Sequence, residues 1–158
     1  MSVLLAIDPG NIESAYVLMD GYRPIAFDKI PNEAMIDVVS TGAYHHCVIE
    51  MVESYGMAVG REVFDTCVWI GRFSQAGIAA GMAPYYVPRR EVKLTLCGSP
   101  RAKDTNVRQA LIDRFAEHDL KNGKGTKKNP DWFYGFKADV WAAYAVGVTW
   151  LDQKGEKA

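Results

Sequence analysis

Asp8, Glu50 and Asp139 are carboxylates set into otherwise apolar stretches, SVLLAID, HHCVIEM and KADVWAAYAVGV. Ionised carboxylates are seldom buried unless they are paired or bound to metal, and an uncompensated charge in such surroundings is strongly destabilising. The first two sit on strand-like segments and the third at the start of a helical one. They can converge if the two strands are neighbours. A cluster of carboxylate oxygens without His or Cys suits Mg²⁺ or Mn²⁺ and not Zn²⁺. Two such ions about 3.5–4 Å apart can hold a scissile phosphate, one activating water and the other stabilising the leaving oxygen. Each acid also has a plainer reading. Asp8 opens an Asp-Pro-Gly turn, Glu50 pairs with a lysine, and Asp139 caps a helix. The coincidence of all three, with a basic segment between the second and third, weakens those readings. His45 and His46, next to Cys47, add nothing to the set, because strand alternation sends the two rings to opposite faces.

The elements that must position these acids follow from hydrophobic periodicity. SVLLAID, ESAYVLMDG and YRPIAFDKI read as three strands, the last two joined at Asp20-Gly21, a hairpin signal. A helix capped by Asn32 follows, then the 45–51 strand, a long helix over 62–82, and a short strand at 83–88. Residues 89–103 are basic and partly helical. Helices over 104–118, capped by Asp104, and over 138–152 complete the order. Between them KNGKGTKKNPD, 121–131, reads as a polar loop expected to be mobile. A three-strand meander followed by strands joined through helices predicts a mixed α/β sheet covered by helices.

The chain of 158 residues reads as one domain spanning 1–158, with 49% hydrophobic and 23% charged residues. No apolar run reaches the length of a membrane span and no signal peptide is visible. Cys47, Cys67 and Cys97 form no CxxC pair and read as buried thiols of a cytoplasmic protein. The net charge of −1 conceals a division: residues 1–84 hold 4 basic and 10 acidic residues, whereas 85–128 hold 11 basic and 5 acidic. Carboxylates that gather metal and cations that hold a polyanion would produce this pattern, as would ordinary solvated surface charge.

AIDPGNIESAYVLMD resembles the opening of RuvC-type Holliday-junction resolvases, in which a first-strand Asp precedes Pro-Gly. HHCVIEMVESYGM resembles their second acidic strand, PRREVKLTLCGSPRAKDTNVRQALIDRF their basic segment, and KADVWAAYAVGVTW their last helix. The similarity runs through almost the whole chain in the same order. It implies an RNase H-like fold, a homodimer, and symmetric nicking of four-way DNA junctions that depends on Mg²⁺ or Mn²⁺; a small chain of this kind would suit a bacteriophage or bacterial genome. Asp8, Glu50 and Asp139 would then be the catalytic metal ligands, and Lys93 would contact the scissile phosphate. Arg89, Arg90, Arg101 and Lys103 would contact other phosphates. Lys124, Lys127 and Lys128 would become ordered on DNA, and Tyr55 would stack on an unpaired base or simply lie on the surface.

The sequence departs from that pattern at Ala142, where the family usually carries a second acid three residues after the one matching Asp139. An alternative register places Asp139 on that second acid and Phe136 on the first. Waters, Glu53, Asp104 or Asp131 are candidate substitutes. The 62–82 helix is the expected dimer interface, with Trp69, Phe73 and Met82 as anchors. Competing functions are a nuclease of the same fold acting on flaps or RNA–DNA hybrids, and a non-catalytic branched-DNA binder. An actin-like ATPase is disfavoured, since the chain is too short for two lobes.

Overall fold

Val3–Ile7 carries no polar side chain, and all five residues are buried. A strand apolar on both faces belongs inside a sheet, and β1 (Val3–Asp8) is the middle one of five. β2 (Glu13–Asp20) and β3 (Arg23–Pro31) continue antiparallel from it, turned by Gly21 at φ 57°, a conformation glycine adopts without steric penalty. β4 (His46–Met51) and β5 (Tyr85–Pro88) join the other side in parallel, each reached through a helix. The sheet order is therefore β3-β2-β1-β4-β5. The structure is a computed structural model and describes residues 2–157.

The period-two alternation of β1 sorts the helices into two layers. Leu4 and Ala6 face a cluster built with α3 (Arg89–Cys97), α4 (Asp104–Phe115) and α5 (Val140–Lys157). Val3, Leu5 and Ile7 face α1 (Asn32–Ser40) and α2 (Arg61–Ala79). In β4 the same rule sends Val48 to the α5 face and Cys47 and Ile49 to the other. Gly147 lets α5 lie close on the sheet: a Cβ there would stand 2.4 Å from Met19 Sδ and 3.1 Å from Ala6 Cβ. No helix among the described residues is long and apolar enough to cross a membrane.

Several local expectations are corrected. The first helix is capped by Pro31, not Asn32, which is its first residue and turns inward to a buried network. Lys103, not Asp104, caps α4, since the helix already begins at Asp104, whose carboxylate bonds Arg89 instead. The last helix runs on to Lys157. Only Cys47 is a buried thiol; Cys67 is exposed and Cys97 partly so. Phe73 is wholly buried against β1 and β4 and cannot anchor an interface, and Trp69 and Met82 pack partly against the same core. The exposed apolar residues of α2 are instead Phe64, Val68 and Ile78. Helical spacing puts them on one stripe.

The 121–131 segment is tied down through carboxylates. Asp131 accepts hydrogen bonds from the backbone N–H groups of Glu117, His118, Asp119 and Trp132 at 2.6–2.8 Å. Burial alone would raise its pKa, but these donors hold the carboxyl well below the usual range. Asp119 does the same for the N–H groups of Asn122, Lys124 and Gly125. Gly123, at φ 74°, lies so close to Phe133 that a Cβ would be 2.8 Å from its ring. Phe133, Phe136, Trp141 and Tyr144 then stack edge to face, anchoring the segment that leads into α5.

Candidate active site

Asp8 and Glu50 occupy the alternating positions that follow Ala6 and Val48, so both face α5. The ladder registers extend this into a row. Asp8 pairs with Ala15, Ala15 with Lys29, and Glu50 with Val87; Ile7 pairs with Ile49, one residue before Asp8 and Glu50. Lys29, Ala15, Asp8, Glu50 and Val87 therefore cross the sheet in line, on one face. Asp139 immediately precedes α5, beyond a turn in which Gly135 has φ 87° and Ala138 φ 41°. A positive φ at a non-glycine residue is a strained conformation, and here it aims Asp139 back over the row. Asp8, Arg89, Asp104, Arg108, Asp139 and Ala142 share a cleft of about 220 Å³.

The turn after Asp8 is braced from below. Gly10 N–H donates to Ser14 Oγ at 3.1 Å, Ser14 Oγ–H to Asn32 Oδ1 at 2.6 Å, and Asn32 Nδ2–H to the Gly10 carbonyl at 2.9 Å. Both side chains are buried, so the strand end cannot shift without breaking this closed ring. Gly10 cannot be replaced freely, since a Cβ would meet the Glu13 carbonyl oxygen at 2.2 Å.

The carboxylates repel one another in a poorly solvated place. Burial, then Glu50 and Asp139, push the Asp8 carboxyl well above its ordinary range, against the opposing pull of Arg89 and Lys29. Burial likewise raises Glu50, with Arg89 and Lys93 opposing it. The chain's own cations meet part of this demand. Arg89 lies 3.8 Å from Glu50 and binds Asp104 closely. Lys29 Nζ donates to Asp139 Oδ2 at 2.7 Å.

The basic residues fall on both sides of the cleft. Tyr55, Arg89, Arg90, Lys93 and Arg101 line, with Pro100, a depression of about 310 Å³ beside Glu50. Tyr55 is half-exposed at φ 51° there. Lys103 stands at the start of α4, where its backbone N–H is held by Asn106. On the opposite side Arg108 lies over the Trp141 ring and borders a second hollow with Lys121 and Lys124. Lys127 and Lys128 are exposed at the tip of the tied-down loop.

No protein-family model matches the sequence, and no curated protein resembles it. Solved structures do. Thermus thermophilus RuvC superposes with a TM-score of 0.68 at 15% identity, covering 98% of this chain and 96% of that one. The same protein in complex with a Holliday junction substrate superposes at 0.67 and 14% identity, covering 94% and 92%. The fold is RuvC-like, of the RNase H class. The mixed five-stranded sheet flanked by helices agrees with the architecture expected from the sequence.

On this RuvC-like frame the donor set suits a hard divalent cation: the available groups are carboxylates, two of them largely buried and short of positive charge. They are not gathered around a common point, however. Among the described residues no three His, Cys, Asp or Glu side chains are grouped to hold a metal ion. Asp139 is engaged by Lys29, and Glu50 leans toward Arg89. Of the suggested substitutes for an acid at 142, Asp131 is committed to backbone donors and Glu53 is exposed in the loop after β4. Only Asp104 lines the cleft.

No motif of the sequence marks Lys29, Arg108 or the Ser14–Asn32 brace. Lys29 is hidden by a β-bulge. Leu18 pairs with Ala26 but Met19 with Pro24, leaving Ile25 without a partner. Continuing the register from the hairpin would set Asp28 opposite Ala15. The extra residue brings Lys29 there and turns its side chain to the α5 face.

Proposed function

We propose that this chain is a structure-selective endodeoxyribonuclease that cuts branched DNA, four-way junctions in particular, in a divalent-metal-dependent phosphodiester hydrolysis. The observation that carries this reading is the line of Asp8 and Glu50 on adjacent strand ends beneath Asp139, in a RuvC-like fold and between two basic hollows. A solved neighbour of that fold is complexed with a Holliday junction. Asp8, Glu50 and Asp139 would hold Mg²⁺ or Mn²⁺. The ion would supply a water of lowered pKa and stabilise charge on the departing oxygen.

The chain's own residues do the rest. Lys93, on α3 close enough to act on the Glu50 charge, holds the scissile phosphate. Arg89, Arg90, Arg101 and Lys103 take neighbouring phosphates on one side of the cleft, and Lys124, Lys127 and Lys128 take those on the other. Such contacts bind DNA with little regard to sequence. Tyr55, on the rim of the hollow, offers its ring to an unpaired base. Junction preference then comes from two active sites at a fixed spacing, in a homodimer formed through the Phe64–Val68–Ile78 stripe of α2. A charged residue in that stripe would separate the sites and remove paired cutting.

The test is cleavage of a synthetic four-way junction, a Y-form and an RNA–DNA hybrid under identical Mg²⁺ conditions. Preferential, symmetric nicking of the junction is expected; preferential cutting of the Y-form or the hybrid reassigns the substrate. A second reading, a non-catalytic branched-DNA binder, is favoured by Ala142 and by the pairing of Asp139 with Lys29. Tight junction binding with no nicking in Mg²⁺ or Mn²⁺ selects it.

A further inference from the structure

We infer that Lys29 is a resident cation of the carboxylate site, which holds Asp139 in the ion-free protein and must be displaced for Asp139 to join a bound divalent ion. The inference rests on the metal-dependent reading above and extends it to a residue outside every motif of the sequence.

Three observations carry it. The first is contact: Lys29 Nζ bonds Asp139 Oδ2 at 2.7 Å, the shortest route by which any cation reaches that acid. The second is placement. Lys29 lies in the cross-strand row of Asp8 and Glu50, and it does so through the bulge at Ile25, a device that re-aims a side chain to the other face. Between Lys29 and Asp8 stands Ala15, whose small side chain leaves the ammonium a path to either acid. The third is charge. Four carboxylates, Asp8, Glu50, Asp104 and Asp139, meet two bonded cations, Arg89 and Lys29. Carboxylates therefore outnumber the cations bonded to them, and a divalent ion can offset the difference. Arg89 stays committed through its close bond to Asp104, whereas Lys29 has a single partner and a side chain 42% exposed. Lys29 is therefore the cation that can leave. Once released it lies beside the cleft with its charge available to a DNA phosphate.

An exposed ion pair of this kind competes weakly. Its removal also deletes a like charge beside the incoming ion, so Lys29→Met should tighten Mn²⁺ binding roughly tenfold. Isothermal titration of the full-length, DNA-free protein with Mn²⁺ reads this directly, with Lys29→Arg remaining close to wild type. A second readout needs no variant of altered charge. With lysines ¹³C-dimethylated, the Lys29 resonance, assigned from its absence in Lys29→Arg, should move toward that of a free lysine in step with Mg²⁺ saturation. Equal or weaker Mn²⁺ binding by Lys29→Met, or a Lys29 resonance that ignores Mg²⁺, overturns the inference while leaving the metal-dependent reading intact. Absence of Mn²⁺ binding by both wild type and Lys29→Met overturns both.

Discussion

Asp8 ends β1 and Glu50 stands one residue before the end of its parallel neighbour β4, and both point to the same face, because Ile7 and Ile49 pair one residue earlier in each. Two largely buried carboxylates side by side form an unfavourable arrangement in the absence of a cation. Their position is nonetheless enforced by the whole central sheet and, for Asp8, by the Gly10–Ser14–Asn32 ring.

That conflict makes metal-free stability pH-dependent. Burial, with Glu50 and Asp139 nearby, pushes the Asp8 carboxyl up to about 8 in the folded chain, against an ordinary value of about 3.9 in the unfolded one. Between those values the folded state binds more protons, so stability falls as pH rises from about 4 to about 8. Asp8→Asn removes the effect. In EDTA at pH 8 its melting temperature should exceed that of wild type by about 3–6 °C. The gap should close at pH 4, and it should narrow when Mg²⁺ stabilises the wild type alone. An unchanged or lower melting temperature at pH 8 contradicts the burial argument.

Asp131 carries the opposite sign. Its pKa is lowered on folding, so its contribution is present at neutral pH and is lost as pH falls below about 4. Asp131→Ala strands four backbone donors and should cost about 2–4 kcal/mol in urea titrations. It should also weaken DNA binding by displacing Lys124, Lys127 and Lys128. A loss below about 1 kcal/mol would mean that the loop has other supports.

The lysines of that loop act on affinity and not on chemistry. Replacing Lys124, Lys127 and Lys128 together by Gln should weaken duplex and junction binding alike. The slope of log K against log salt should fall in magnitude by about 2–3. Single-turnover cleavage at saturating protein should stay near wild type. An unaltered salt slope removes these residues from the DNA surface.

The α2 stripe bears on assembly. Wild-type protein should sediment near twice 17.5 kDa at micromolar concentration, and Phe64→Asp or Val68→Asp should yield monomers that still fold, since both residues are exposed. A monomeric wild type would refute the dimer.

The acidic positions were legible because a carboxylate interrupting an apolar run is a local signal: Asp8, Glu50 and Asp139 each break such a run. The order of strands and helices along the chain was legible in the switch from period-two to helical spacing, whereas the face each helix covers was not. What escaped were features fixed by register and by distant partners. Nothing near Lys29 announces the bulge at Ile25 that turns it toward Asp139. Asp131 reads as a turn residue until four amides from two segments converge on it. Asn32 has the chemistry of a cap, yet the brace under Gly10 takes its side chain. Phe73 and Phe64 look alike along the helix, and only the packing of β1 and β4 decides which is buried.

Nicking of a synthetic four-way junction by wild type and by Asp8→Asn, in Mg²⁺ and in EDTA and with junction binding measured alongside, decides whether the acidic row is a metal-dependent nuclease site. Wild type should nick in Mg²⁺ and not in EDTA, while Asp8→Asn binds the junction as tightly and leaves it uncut. Equal nicking by Asp8→Asn, or nicking that persists in EDTA, contradicts the account.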